Sequence, residues 1–285
     1  MRRVRAAPTL LTLGNLVSGF GSLTMSTRAI SEDGARQGRF LEYAVLLVAL
    51  AMLFDLLDGR VARLTGLTSR FGAELDSLAD VVSFGVAPAA LGKVLLGLGG
   101  LPMWAQRAGW AMLALYVAAT AVRLARYNVE AVSVEDGSIS SKGKEYFTGL
   151  PSPAAAGLAV SPVLFYCWLI EQQTSSSITR LFTMALPVLM LALALLMISR
   201  VRYLHLGNWL SGRRQKLIPV MLLIGVLVLA GGFPHLVPMM AVGAYVVGGL
   251  AWDLSWRVSN ARARRRLSGA GGPGTPATPG TAGQG

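Results

Sequence analysis

The chain has 285 residues, 53% of them hydrophobic and 14% charged, with 26 Lys and Arg against 14 Asp and Glu for a net charge of +12; its mean hydropathy is +0.55. A soluble domain carries about 25% charged residues, so an ordinary soluble globule is excluded and a polytopic membrane protein is indicated. The lone Cys167 excludes disulfides within the chain, and His205 and His235, in separate loops, argue against a histidine-based zinc site.

A membrane-spanning helix needs about 20 mostly apolar residues. In chain order, eight stretches qualify, at about 9–29, 38–60, 76–98, 106–126, 151–171, 181–199, 217–233 and 236–256. The first follows Arg2, Arg3 and Arg5 but has no small-residue cleavage site after it, so it reads as a span and not as a cleaved signal. Its stripe of Gly14, Ser18 and Ser22 suits helix packing, while Asn15 either faces a cavity or bonds a neighbouring helix. Spans two and three are joined by TGLTSR, whose Thr, Gly and Ser suit a turn, so they form an antiparallel pair.

The fifth span opens with Pro151 and Pro153, residues favoured in a first helical turn. Ser152 between them is expected to be exposed, either toward a substrate or as a helix N-cap. Residues 203–213, which mix apolar and basic side chains, are expected to lie along the membrane interface. The last two spans form a hairpin around GGFPH at 231–235. Residues 1–256 therefore read as one transmembrane domain, and 257–285 as a basic, then Gly- and Pro-rich, disordered cytoplasmic tail.

The positive-inside rule orients the bundle. With an even number of spans and both termini cytoplasmic, 20 of the 26 basic residues fall on the cytoplasmic side. The basic excess is thus a topology signal, with attraction to anionic lipid headgroups as its second use; nucleic acid is not the partner. The expected location is the cell (inner) membrane.

Four aspartates then lie at the cytoplasmic ends of spans two and three. Asp55 and Asp58 are one helical turn apart, as are Asp76 and Asp80, so each pair shares a face. Ionised carboxylates at bilayer depth are costly and need a partner. An oxygen-only donor set favours a hard divalent ion, Mg²⁺ or Mn²⁺, and four converging carboxylates suit two ions clamping a phosphoryl transfer. Gly59 and Ala62 leave a groove where a nucleotide can lie, Arg63 offers a fork of donors to phosphate, and Gly72 permits close helix approach or serves plain packing. A carboxylate-dependent proton or ion transporter is the rival reading.

The pattern Asp55-x-x-Asp58-Gly59-x-x-Ala62-Arg63, eight residues, Gly72-x-x-x-Asp76-x-x-x-Asp80 resembles the complete signature of the CDP-alcohol phosphotransferase family. That resemblance implies an all-α, polytopic, usually dimeric membrane enzyme. It would move a phosphatidyl or related group from a CDP-linked donor to an alcohol and release CMP. It also implies that Asp55, Asp58, Asp76 and Asp80 hold the metal, that Asp80 is the base, and that Asp55, Gly59, Ala62, Arg63 and Gly72 serve the CDP moiety.

Three further stretches, PTLLTLGNLVSG at 8–19, AVRLARYNVE at 121–130 and YFTGLPSPAAAG at 146–157, with SLADVVSFGVAPA at 77–89, are similar to the bacterial membrane-embedded phosphatidylserine synthases. This implies CDP-diacylglycerol and L-serine as substrates, with glycerol 3-phosphate or inositol phosphate as the alternative acceptors. Arg123 and Arg126, placed at the end of span four, would pair the serine carboxylate or anchor the helix at lipid phosphates. Asn128 would bind a substrate amine or cap that helix. Ser152 and Asn15 complete the acceptor-site candidates, and Lys142 and Lys144 lie in the loop between.

Overall fold

The computed structural model describes residues 2–65, 70–135, 146–199 and 201–204, with 239–240, 243–249, 251–252 and 254–255 from the last expected span. The seventh span, the GGFPH turn, the tail, residues 66–69 of the TGLTSR turn, Lys142, Lys144 and most of 203–213 lie outside the described residues.

The described chain is almost entirely helical. Its elements are α1 (Arg2–Ile30), α2 (Gly34–Thr65), α3 (Arg70–Asp80), a π-helical turn (Val81–Val86), α4 (Ala87–Leu98), α5 (Met103–Glu135), α6 (Ser152–Glu171) and α7 (Ser176–Ile198). Among the described residues the only strands are β1 (Tyr146–Thr148) and β2 (Arg202–Leu204), an antiparallel ladder with Phe147 opposite Tyr203.

Among the described residues, five segments are long and apolar enough to cross a membrane: Gly34–Ala62, Phe71–Leu98, Met103–Val129, Ser152–Glu171 and Ser177–Ile198. They carry spans two to six of the sequence reading. The first expected span coincides with α1, which falls outside those five. Its inward face explains this, because Thr12, Asn15, Ser18, Ser22 and Ser26 are all buried there. Most of the polar side chains that lower the hydropathy of α1 are ones it presents to the protein.

Packing follows membrane rules. Both sides of a helix are apolar, so hydrophobicity alone cannot say which faces inward. On α2, Leu41, Ala44, Val45, Val48 and Ala51 are buried whereas Leu46, Leu50, Leu53 and Leu57 are exposed. Association rests instead on close packing and a few hydrogen bonds. Helix α1 lies along α2 and also touches α3 and α4; α5 packs on α7, and α6 fills the space between α2 and α7.

Gly19 permits a close approach of α1 to the π-helical turn. A Cβ there would collide with Ser83 Oγ and come within 2.8 Å of Ser83 Cα in the π-helical turn. Gly19→Ala is therefore expected to destabilise the protein by about 1–3 kcal/mol, the usual cost of overpacking, read as a lower unfolding midpoint in detergent.

One expectation about span four is corrected. Helix α5 continues to Glu135, so Asn128 lies within it and does not cap it, while Arg123 and Arg126 stand in the last turns of the apolar stretch Met103–Val129. The apolar run ends near residue 126, but nothing in RYNVEAVSVE breaks a helix, so the helix outlasts the hydropathy. Gly149 marks the other end of the connection. Its φ of +87° and the collision a Cβ would make with the Met197 carbonyl both demand glycine.

Candidate active site

The long α2 delivers Asp55 and Asp58, and the short α3 delivers Asp76 and Asp80, each pair on one helical face. Three of the four converge: Asp55, Asp76 and Asp80 each present a carboxylate oxygen within 4.8 Å of the others. Asp58 stands outside this trio. It is buried, and its Oδ2 accepts a 3.0 Å hydrogen bond from Thr12 Oγ1 of α1. Its charge still acts on Asp55 and Asp76.

The trio suits a divalent cation. Its donors are all carboxylate oxygens, the set hard ions prefer. Asp76 Oδ1 is buried without a hydrogen-bond partner, although an ionised carboxylate has only acceptors to satisfy. Three such groups this close repel one another unless positive charge sits among them.

Helix α1 serves the cluster from one side. Asn15, one turn beyond Thr12, donates from Nδ2 to Asp80 Oδ1 at 3.0 Å, and Ser83 Oγ donates to the Asn15 carbonyl at 3.0 Å. Two residues at a one-turn spacing on α1 therefore contact one aspartate from each pair. Thr12 and Ser83 were not singled out in the sequence; the polar Thr12–Asn15 spacing within an apolar span is the signal that could have found Thr12.

The expected acceptor residues separate into two groups. Arg123 and Ser152 come together, with Arg123 Nη1 donating to Ser152 Oγ at 2.7 Å. The charges of Asp80 and Asp55 act on Arg123. Its Nε is buried with no partner. Ser152 is only 1% exposed, which corrects the expectation that it projects into the open. Pro151 occupies the N-cap position, so Ser152 is the first helical residue and lies under Arg123.

The remaining candidates face other helices. Asn128 Nδ2 donates to Ser77 Oγ at 2.9 Å, tying α5 to α3. Arg126 reaches the Ile198 carbonyl at the end of α7, at 3.4 Å. Asn15 is fully buried against Asp80.

The residues expected to serve the nucleotide lie on the same two helices. A Cβ added at Gly59 would meet nothing within 4 Å, so open space borders the helix there. Ala62 and Gly72 are half-buried, and Arg63 falls in the last turns of α2, where its side chain is outside the described residues.

Comparison with known proteins adds a family and several relatives. A family model described as CDP-alcohol phosphatidyltransferase matches residues 5–250. The CDP-diacylglycerol–serine O-phosphatidyltransferase of Mycobacterium tuberculosis (strain ATCC 25618 / H37Rv) is 44% identical over 113 residues, 40% of this chain and 36% of that one. The protein of the same name from Helicobacter pylori (strain ATCC 700392 / 26695) is 39% identical over 163 residues, 56% of this chain and 60% of that one. That of Methanocaldococcus jannaschii is 33% identical over 204 residues, 72% of this chain and 81% of that one. The chain thus spans 36% of the mycobacterial relative's length and 81% of the archaeal one's.

Proposed function

The chain belongs to the CDP-alcohol phosphatidyltransferase family, and on that premise we propose that it transfers the phosphatidyl group of CDP-diacylglycerol to the hydroxyl of L-serine. The observation that carries this reading is the convergence of Asp55, Asp76 and Asp80 at the ends of two apolar helices. Relatives named for the serine reaction support the choice of acceptor.

In this reading the donor keeps its acyl chains in lipid, with its nucleotide along the open surface at Gly59 and its pyrophosphate near Arg63. Asp80 takes the proton of the serine hydroxyl. The serine oxygen forms a bond to the phosphorus that bears diacylglycerol, and the bond from that phosphorus to the CMP oxygen breaks. CMP leaves with the electron pair. Mg²⁺ or Mn²⁺ bound by Asp55, Asp76 and Asp80, with Asp58 available for a second ion, would supply electrostatic stabilisation of the phosphoryl oxygens and of CMP. Arg123 takes the serine carboxylate through the edge that includes its unpartnered Nε, while Ser152 steadies the other end of the guanidinium. Positioning and electrostatics carry the catalysis, without a covalent phosphatidyl-enzyme.

The same reading places the site at the cytoplasmic face of the cell membrane, because the basic residues cluster on the side bearing the aspartates. The homodimer is part of it through the family resemblance. The test is CMP release from CDP-diacylglycerol by the purified chain, compared across serine, glycerol 3-phosphate, inositol phosphate and inositol. Serine-dependent release is expected. Release with a phosphorylated acceptor and not with serine would reassign the substrate. Ion flux in vesicles that depends on Asp80, without CMP release, would replace the enzyme reading by a transporter.

A further inference from the structure

Helix α3 ends at Asp80, and the backbone widens at once into the π-helical turn Val81–Val86, in which Ser83, Phe84 and Gly85 are buried. A π-turn winds more residues into each turn than an α-helix, so it re-aims the side chains that follow. Here it points Ser83 back at α1, where Ser83 Oγ bonds the Asn15 carbonyl at 3.0 Å. Asn15 Nδ2 already donates to Asp80 Oδ1 at 3.0 Å. One stretch of chain from Asp80 to Ser83 therefore holds Asn15 by side chain and by backbone.

The turn is pinned from both sides. The fully buried Tyr116 of α5 donates to the Phe84 carbonyl at 2.9 Å, and a Cβ at Gly85 would come within 3.3 Å of Thr120. On the other side, Gly19 leaves no room between α1 and Ser83. Sliding of α1 along the turn would break the Asn15 bonds to Asp80 and Ser83 and the Gly19 packing together.

The chemistry of the amide is equally directed. An ionised carboxylate only accepts, so the Asn15 nitrogen must face Asp80, and Asn15 Oδ1 is left buried with no partner. A site kept for packing alone has no use for a buried amide with one end unsatisfied.

We infer that Asn15 is a positioning residue for Asp80, held in register by Ser83 and the π-helical turn, and not a direct contact of the acceptor alcohol. By fixing one oxygen of Asp80, Asn15 sets the direction of the other toward the substrate hydroxyl. The inference rests on the base role proposed above for Asp80.

The experiment compares the full-length wild type, Asn15→Ala and Ser83→Ala by steady-state kinetics, by Mn²⁺ titration followed by electron paramagnetic resonance, and by thermal unfolding in detergent. Asn15→Ala should lower kcat about 100-fold, the scale of a small misplacement at a reacting group, with KM for serine and for CDP-diacylglycerol unchanged. It should also weaken Mn²⁺ binding about tenfold or more, as loss of an outer-sphere partner does. Ser83→Ala should move kcat and Mn²⁺ affinity in the same direction by less, and it carries the test if Asn15→Ala fails to fold. A raised serine KM with kcat intact would make Asn15 an acceptor contact and overturn the inference. Wild-type kcat and Mn²⁺ affinity in both variants would overturn it as well. A wild-type protein that binds Mn²⁺ yet releases no CMP with serine would sink the proposed function, and the Mn²⁺ titration would still decide the role of Asn15.

Discussion

Purified Asp80→Asn is expected to lose serine-dependent CMP release by about 10³- to 10⁴-fold, the upper range for removing a general base. The substitution keeps the shape of the side chain. Its amide oxygen can still accept from Asn15 Nδ2, so the docking of α1 against α3 should survive. What disappears is the negative charge and the ability to take a proton. Asp55 and Asp76 remain, so Mn²⁺ should still bind, more weakly. Turnover near that of the wild type would remove Asp80 from the base role. Loss of both turnover and folding would be exposed by the unfolding midpoint, and the charge-retaining Asp80→Glu would then separate lost charge from lost structure.

Chelation with EDTA should bring transfer down to background, and Mg²⁺ or Mn²⁺ should restore it. The physical reason is the crowding of the cluster. Carboxylate oxygens within 4.8 Å of one another cost roughly 3 kcal/mol for each ionised pair at an effective dielectric near 20. A divalent ion held by these carboxylates would offset that repulsion, and Asp76 Oδ1 is buried with no other partner. Because such an ion would bind the folded protein, chelation should also lower the unfolding midpoint, and re-addition should raise it with ion concentration. Transfer that persists at full rate in excess EDTA would refute a metal held by this trio.

Much of the fold is legible in the sequence. Hydropathy places spans two to six within a few residues of the observed helices, because the length of an apolar run is a local property. It fails at helix ends that leave the apolar run, as at α5. The aspartate pairs were legible for a similar reason, since a one-turn spacing on a helix is written in the chain itself. The acceptor candidates were harder. Arg123 and Ser152 are partners 29 residues apart, and nothing near either one encodes the other.

Composition and spacing act locally, so a helical membrane protein with two pairs of acids and a family signature around them is written in the chain. Which acids meet is a matter of packing. It separates Asp58, taken up by Thr12 across 46 residues of sequence, from the trio of Asp55, Asp76 and Asp80. It sets Asn15 on Asp80 across 65 residues and buries Ser152 beneath Arg123. The physical reason lies in the environment of the helices. Where both faces of a helix are apolar, periodicity carries no inward direction, and the few polar contacts that choose one are long-range.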